Sequence, residues 1–438
     1  MATAEQKYRV AYFKQKVDHF SFSNRDSFRQ RYLIYEDHWN KNGGPIFFCT
    51  GSEMNVEVLA NQMGIMYDWA VDFKAMLVFA EHRYYGDSLP YRERSFSSRE
   101  RRGYLTTEQA LADFAYLIQH IKKHAPGADK SMVVTFGGGY GGMLAAWMRV
   151  RYPHLVKGAY ASSAPIAYYS GEVACDKFPR AITDSYKSQS QNCAASIRRS
   201  WAIMDKMAAT DDGLKFLTEA FHSCQRLTTD SLPHLYQWLK EAYQTMAMLD
   251  YPYDTELFGK LPAHPEACRF LWNPLQTGED LVRSLHKAAS ILYNSSGNAA
   301  CYSIDGNIGV HAGWLFQTCT ELVMPECTNG AEDMFKPKKW DVRKHAKRCQ
   351  QRFGVTPDPG RLKPVPLKTR RNNLRDPWYY GGVLSGPEST TSIVVRNAAH
   401  LLDLRKPNDL DPVSVAWART RAKGTLWRWL TPKLNFFG

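Results

Sequence analysis

Three short runs of apolar residues lie in the first third of the chain, and each ends at a glycine or a polar cluster. They are residues 45–50 (PIFFCT), 75–80 (AMLVFA) and 132–136 (MVVTF). Runs of this length, closed by turn residues, are typical of strands that are buried on both faces of a parallel sheet. We therefore predict three central strands here and a further strand that ends near Ser162 and Ser163.

Helical patterns separate and follow these runs. Thr106 is a good N-cap, and Gln109 follows three residues later, which is the spacing of a capping box. Apolar residues then recur at 111, 114, 118 and 121, so one face of this helix is expected to be buried. The third run leads into a glycine-rich turn at 137–142 and then into an apolar helix at 143–148. Strands that alternate with helices predict an α/β fold.

The remaining chain divides into two zones. Residues 166–349 have mainly helical patterns, for example at 194–203 and 234–243, whereas residues 350–438 predict a short strand at 393–395 and a helix from 411 to about 430. We therefore predict the first part of an α/β domain at 1–165, an inserted helical cap domain at 166–349, and the second part of the α/β domain at 350–438.

Composition and charge narrow the possible classes of protein. Of 438 residues, 44% are hydrophobic and 23% are charged, which is ordinary for a globular protein. The net charge is +13, but residues 336–371 alone hold 13 basic and 2 acidic side chains. No nucleic-acid recognition motif accompanies this run, so we expect a solvated basic face and no nucleic-acid partner. A basic surface at 336–371 that associates with polyanions, with steep salt dependence, stays an alternative. No apolar run reaches the roughly 18 residues of a membrane span, and we expect none.

The nine cysteines indicate the redox state of the compartment in which the protein works. Eight fall between 175 and 349 without C-x-x-C or zinc spacing, which predicts four disulfides, an oxidising compartment and no metal or cofactor. The first residues lack an apolar signal region, which leaves a cytosolic chain or one whose leader was removed. The cysteines favour the second, a mature or truncated secretory protein, and the sequon at Asn294 agrees with it. Cys49 stands apart in an apolar run, and we expect a buried thiol.

The glycine-rich turn at 137–142 has three interpretations. It does not fit a phosphate-binding loop, because Met143 follows where such a loop needs lysine. It fits the G-x-S-x-G frame of a nucleophile elbow at every position except the nucleophile, which is Gly139. An aspartate and then His400 follow downstream, in the chain order of the α/β-hydrolases. A tight structural turn without chemistry fits the spacing equally well.

Long motifs in a single order make the chain recognisable. They are residues 15–20 (QKVDHF), 77–86 (LVFAEHRYYG), 137–144 (GGGYGGML), 152–154 (YPH), 249–253 (LDYPY), 319–321 (CTE), 327–330 (CTNG), 376–378 (DPW), 399–400 (AH) and 402–405 (LDLR). With these motifs the chain resembles the prolyl-specific serine exopeptidases, the family of lysosomal Pro-X carboxypeptidase and dipeptidyl peptidase II. The resemblance covers most of the chain.

The resemblance implies an α/β-hydrolase fold with an inserted, disulfide-stapled helical cap, and a serine-type peptidase that acts next to proline. Such a peptidase releases either the C-terminal residue or an N-terminal dipeptide, and the sequence leaves both specificities open. It places the family's Ser-Asp-His triad at Gly139, Asp376 and His400. By α/β-hydrolase geometry, the oxyanion donors would be the backbone N–H of Tyr140 and one from Gly51 or Ser52. The resemblance further implies proline-containing peptides as partners and a lysosomal or secreted location, and it leaves a homodimer open.

Two further sets of residues follow from the same resemblance. A proline pocket needs apolar walls, and three side chains that flank the triad motifs are the candidates: Met143, Met324 and Trp378. Ordinary core packing explains these three residues equally well. The implied disulfides are Cys175–Cys327, Cys193–Cys268, Cys224–Cys301 and Cys319–Cys349.

This chain departs from the family pattern at the places where the chemistry would occur. Gly139 has no side-chain oxygen, so the acyl-enzyme route is closed and we expect no hydrolysis; Ser162 and Ser163 lack the elbow context. The stretch before Asp376 contains two prolines where the family has an apolar strand, which puts the placement of that aspartate in question. The alternative to a peptidase is a non-catalytic pseudoenzyme that binds proline-containing peptides.

Overall fold

The computed structural model describes residues 8–256, 261–263, 266–304, 311–362, 375–382 and 390–431, apart from the side chain of Ser170. Six strands form one sheet: β1 Arg9–Lys16, β2 Ser27–Tyr35, β3 Ile46–Cys49, β4 Met76–Ala80, β5 Val133–Gly138 and β6 Val156–Ser162. Their order is β1-β2-β4-β3-β5-β6. The first two strands are antiparallel to their neighbours, whereas β4, β3, β5 and β6 are parallel.

Helices connect and cover these strands. Those before or between the strands are α1 Val56–Gln62, α2 Gly64–Phe73, α3 Arg99–Arg102, α4 Thr107–His124 and α5 Tyr140–Arg151. The later ones are α6 Lys177–Gln189, α7 Gln191–Met207, α8 Asp211–Ala220, α9 Leu232–Met248, α10 Gly278–Tyr293, α11 Ala312–Thr318, α12 Val342–Phe353 and α13 Val413–Leu430. Among the described residues, no helix combines the length and the apolar character that crossing a bilayer requires.

Alternation along the central strands divides the core between the two faces of the sheet. Phe48 and Val78 face a cluster that includes α4, α5 and the helices from α6 to α10. Phe47 and Leu77 face the opposite cluster, which includes α2 and α13. Because successive side chains of a strand point to opposite faces, a run that is apolar throughout buries both faces of the sheet. The first cluster continues from the sheet into the inserted helices, so the two parts share one hydrophobic core.

The predicted capping box of α4 forms only in part. The hydroxyl of Thr106 accepts a hydrogen bond from the backbone N–H of Gln109. The Gln109 side chain does not return the bond, because its oxygen accepts from the N–H of His19 and its nitrogen donates to Asp18. The glutamine therefore connects α4 to the loop after β1.

Arg83 lies in the motif at 77–86 and is completely buried. Its guanidinium makes two hydrogen bonds of 2.7 Å to the carboxylate of Asp113 on α4. It also donates to the carbonyl oxygens of Val17 and Tyr104. The charge and most of its donors are therefore satisfied inside the protein, as a buried cation requires.

The inserted helices are crosslinked by four disulfides, which join the same pairs that the resemblance implies: Cys175–Cys327, Cys193–Cys268, Cys224–Cys301 and Cys319–Cys349. The remaining cysteine, Cys49, is a free buried thiol on β3. Burial alone raises the pKa of this thiol, so it stays protonated and unreactive.

Two details bear on the expected organisation, whose domain boundaries stay a prediction. The prediction of a strand at 393–395 is wrong. These residues are not paired in a sheet, and Val395 packs instead with Leu249 and Leu402. The contacts of this segment are therefore side-chain contacts rather than a backbone ladder. In addition, the domain boundary placed at 349 falls within α12, which continues to Phe353.

Candidate active site

The turn between β5 and α5 has the backbone of a sharp strand-to-helix elbow. Gly139 lies at its apex with φ 56° and ψ −126°, a region that suits glycine and strains other residues. Its N–H donates to the carbonyl oxygen of Ser162, and its own carbonyl accepts from the N–H of Met143. A Cβ at Gly137 would lie 2.2 Å from the carbonyl oxygen of Gly141, so the turn is also closely packed.

The structure brings Gly139, His400 and Asp376 together. His400 Nδ1 is 3.0 Å from Asp376 Oδ2, and Asp376 is fully buried while His400 is 8% exposed. On the other side of the imidazole, a Cβ built on Gly139 would lie 3.3 Å from His400 Nε2. The three positions therefore form a line in which the ring stands between the carboxylate and the elbow.

Local contacts hold both members of the Asp–His pair. Asp376 caps the 3-10 helix Pro377–Gly381, because its Oδ1 accepts from the N–H of Trp378 at 3.0 Å. The backbone of His400 is fixed from the end of α9: its N–H donates to the carbonyl of Met248, and its carbonyl accepts from the hydroxyl of Tyr251. Asp376 thus reaches the histidine in spite of the prolines upstream. The stretch whose strand character was in question lies largely at 363–374, outside the described residues.

Residues beside the pair bind the hydroxyls of the two serines at the end of β6. The Ser162 hydroxyl donates to Asp403 Oδ1 at 2.5 Å, and the Ser163 hydroxyl accepts from the N–H of Leu401 at 3.2 Å. Leu401 itself has φ 60° and sits against Gly138, where a Cβ would collide with the leucine methyls. Both hydroxyls are therefore engaged in holding the loop that carries His400.

The expected oxyanion donors lie at the elbow. The turn after β3 packs against the start of α5, because a Cβ on Gly141 would be 3.1 Å from the carbonyl oxygen of Thr50 and 3.7 Å from that of Gly51. The Thr50 hydroxyl donates to the Gly141 carbonyl at 2.7 Å. The turn that holds Gly51 and Ser52 therefore packs against Gly141, the residue after Tyr140, and the oxyanion role of these N–H groups stays a prediction.

A buried polar network surrounds the side chain of Tyr140, and the sequence analysis did not anticipate it. The Tyr140 hydroxyl is 2.9 Å from Gln317 Nε2, 3.2 Å from Thr107 Oγ1 and 3.1 Å from His82 Nε2. Gln317 also donates to Glu321, whose Oε1 accepts from both the N–H and the hydroxyl of Thr107. The sequence signals were that His82, Tyr140 and Glu321 each lie in one of the long motifs, at 77–86, 137–144 and 319–321.

Burial sets the protonation of the two titratable groups in this network. It lowers the pKa of His82 to about 4, so the imidazole is neutral at neutral pH. It raises the pKa of Glu321 to about 7, against hydrogen bonds that favour the charged carboxylate. The network therefore gains a proton at Glu321 as the pH falls below neutral.

The three candidates for a proline pocket differ in exposure. Met143 is 1% exposed within the main core cluster, which favours core packing. Met324 and Trp378 are partly buried against the same cluster, and the Trp378 ring lies 4.5 Å from that of Phe178. Their assignment to a peptide pocket stays a prediction.

Two other sequence assignments lie in the insertion. Asn294 is the C-cap of α10, and its Oδ1 accepts a hydrogen bond from the N–H of Ala299. The glycosylation of Asn294 stays a prediction. Among the described residues, Cys319, His345 and Cys349 form a group of possible metal ligands. The two sulfurs are bonded to each other, however, which leaves the imidazole as the only available donor.

The sheet order, the elbow after β5 and the buried Asp–His pair define the α/β-hydrolase class, here with the disulfide-stapled helical insertion that the sequence predicts. Residues 15–373 match the family described as Serine carboxypeptidase S28. The chain therefore belongs to the serine carboxypeptidase S28 family.

Individual relatives agree with this assignment. The chain is 43% identical to the lysosomal Pro-X carboxypeptidase of Mus musculus, over 99% of this chain and 90% of that protein. It is 42% identical to the protein of the same name from Homo sapiens, over 97% of this chain and 89% of that protein. Among solved structures, the proline iminopeptidase of Mycobacterium smegmatis aligns over 95% of this chain and 100% of that one, with 11% identity and a TM-score of 0.35.

Proposed function

We propose that this chain is a non-hydrolysing member of its peptidase family, which binds proline-containing peptides without cleaving them by the serine route. The observation that carries the proposal is the space between Gly139 and His400. A nucleophilic hydroxyl would have to occupy it, and the residue at the elbow has no side chain to supply one. The names of the relatives, Pro-X carboxypeptidases, support the choice of peptide.

The chemistry explains why one missing atom is decisive. In a serine peptidase the hydroxyl attacks the carbonyl, the histidine takes its proton and passes it to the leaving amine, and the aspartate orients the imidazole. Here Asp376 and His400 keep the orienting contact at 3.0 Å, but no atom at position 139 can form the acyl-enzyme. Substrate binding and oxyanion stabilisation alone leave about 10³–10⁴-fold acceleration over water in such enzymes. We expect the hydrolytic activity of this chain not to exceed that remaining acceleration.

We further propose that the chain recognises a free C-terminus next to proline, and that it works in the lysosome or after secretion. The first proposal is supported by the names of the relatives, which are carboxypeptidases. The second is supported by four disulfides, which form and persist in oxidising compartments, and by the lysosomal relatives.

Calorimetric titration with short peptides tests the proposal. The set comprises a peptide with proline before a free C-terminal residue, the same peptide with alanine in place of proline, and the same peptide with an amidated C-terminus. We expect binding of the first, at least tenfold weaker binding of the other two, and no cleavage products by mass spectrometry after overnight incubation.

Each part of the proposal has its own contradicting result. Cleavage products at a rate typical of serine peptidases would disprove the loss of hydrolysis. Absence of binding at millimolar peptide would disprove retained recognition, while equal binding of the amidated peptide would disprove recognition of the C-terminus.

A further inference from the structure

The helix α12 carries an unusually dense set of exposed cations. Together with the residues just before it, the helix presents a surface that we call the α12 surface, defined by Lys338, Lys339, Arg343, Lys344, Lys347 and Arg348. All six residues are exposed. The helix contains no acidic residue between Val342 and Phe353, and Asp341, the residue just before it, is used as the N-cap. Positions four apart lie on the same side of a helix, so Arg343 stacks with Lys347 and Lys344 with Arg348.

Among the described residues, no carboxylate pairs with the charges of the α12 surface, although neighbouring cations do have partners. The flanking cations Lys336 and Arg361 are paired with Asp205 and Glu108. In contrast, in the part of the chain that the structure describes, none of the six residues of the α12 surface lies within salt-bridge distance of a carboxylate. Partial desolvation, together with the positive charges of Arg348 and Lys344, lowers the pKa of the Lys338 ammonium. The cations are therefore close enough to repel one another.

The α12 surface is also held in a fixed position. The side chain of Asp341 accepts from the N–H groups of Arg343 and Lys344 at the start of the helix. Cys349 is buried near its end and is crosslinked to Cys319 at the base of α11. Repelling charges on a flexible segment could move apart, whereas those on a crosslinked helix cannot. The backbone of such a preorganised helix loses little conformational freedom when an anion binds, so the remaining cost is the ordering of the side chains.

The chemistry of the surface selects the class of partner. Helices that bind at a lipid surface insert an apolar face, but the face of α12 that carries Cys349 is packed against the protein. Binding of single-stranded nucleic acid uses exposed aromatic side chains between the cations, and the one aromatic residue beside the helix start, Trp340, packs against His345. The four disulfides indicate an oxidising compartment, where nucleic acids are not the usual polyanions.

We propose that the α12 surface binds a sulfated polysaccharide, a linear polyanion whose sulfate groups pair with the cations along about 18 Å of helix. The site is separate from the elbow and from the peptide proposal, so either can fail without the other. The proposal predicts that binding of the polysaccharide weakens steeply with rising salt concentration, because each neutralised sulfate releases bound counterions.

Two variants with the same change in net charge test the proposal. The first replaces four cations of the surface: Arg343→Gln, Lys344→Gln, Lys347→Gln and Arg348→Gln. The control replaces four exposed cations on other parts of the insertion: Lys206→Gln, Lys215→Gln, Arg226→Gln and Lys287→Gln. Binding to heparin-derived oligosaccharides is measured by fluorescence anisotropy between 50 and 300 mM salt, with circular dichroism as the check on folding.

The proposal expects the parent to bind at about 150 mM salt, the first variant to bind at least tenfold more weakly with a shallower salt dependence, and the control to stay within twofold of the parent. Equal weakening of both variants would reduce the effect to net charge and overturn the proposal, as would absence of binding by the parent. Tighter binding of a DNA strand of equal charge, with the same dependence on α12, would assign the surface to nucleic acid instead. An unsulfated polysaccharide should not bind.

Discussion

Restoring a serine at the elbow gives the sharpest test of how the site is built. Gly139 has φ 56° and ψ −126°, where any side chain strains the backbone. We therefore expect Gly139→Ala to lower the free energy of unfolding by about 1–3 kcal/mol. A Cβ at this position would approach His400 Nε2 to 3.3 Å, with no closer atom nearby, so a small shift of the ring can relieve the contact. Backbone strain rather than collision should dominate the loss.

Gly139→Ser carries the same strain but adds a hydroxyl that points toward His400. A hydrogen bond from this hydroxyl to Nε2 is expected to recover about 0.5–1.5 kcal/mol. The order of stability should therefore be glycine, then serine, then alanine. Only the serine variant should also cleave a proline-containing peptide, because the pair of Asp376 and His400 is already in contact at 3.0 Å.

The assays are denaturant unfolding followed by tryptophan fluorescence, with disulfides intact, and turnover of a fluorogenic proline-containing peptide at acidic and neutral pH. The alanine variant is the matched control, since it has the strain without the nucleophile. An alanine variant as stable as the parent would refute the argument from strain. A serine variant that is no more stable than alanine and does not turn over peptide would show that His400 does not serve the elbow.

Three further predictions concern buried groups. Arg83→Ala leaves the Asp113 carboxylate without its bidentate partner and should cost about 3–5 kcal/mol in unfolding free energy, measured with denaturant. Glu321 keeps its proton up to about pH 7 in the folded protein but loses it near pH 4.5 in the unfolded chain. The free energy of unfolding of the parent should therefore fall by about 1–3 kcal/mol as the pH rises from 4.5 to 7, and that of Glu321→Gln should not. Replacing both Cys319 and Cys349 by alanine opens a crosslink across 30 residues and should lower the free energy of unfolding by about 3.5 kcal/mol.

Controls separate these effects from general damage. Arg99→Ala removes an exposed arginine at the start of α3 and should change the free energy of unfolding by less than about 0.5 kcal/mol. Glu93→Gln removes an exposed carboxylate and should leave the pH dependence between 4.5 and 7 as in the parent. A Glu321→Gln variant with the parent's pH dependence would show that the carboxylate is ionised in the folded protein.

Local patterns were enough to predict most of the central elements. The apolar runs became β3, β4 and β5, and the helical pattern after Thr106 became α4. Burial on both faces of a sheet leaves a continuous apolar run, and burial of one helical face leaves a repeat of three to four residues, so each can be read within a dozen positions.

Elements whose stability comes from distant contacts were not predicted in this way. β1 and β2 contain alternating polar residues such as Arg29 and Arg31, and they form because they pair with each other and with β4. Residues 393–395 are β-branched and suggest a strand, but without a pairing partner among the described residues they pack by side chains alone. Strand formation depends on a neighbouring edge, which a local pattern does not contain.

That position 139 offers no side-chain hydroxyl is fixed by the sequence alone, because no fold can give glycine a side-chain oxygen. Family membership likewise follows from motifs that can be read in order along the chain. The contact between Asp376 and His400, and the network that joins Tyr140 to Gln317 across 177 positions, were decided only by the packing of the insertion against the sheet. Hydrogen bonds are directional and short-ranged, so whether distant residues meet depends on the position of every element between them.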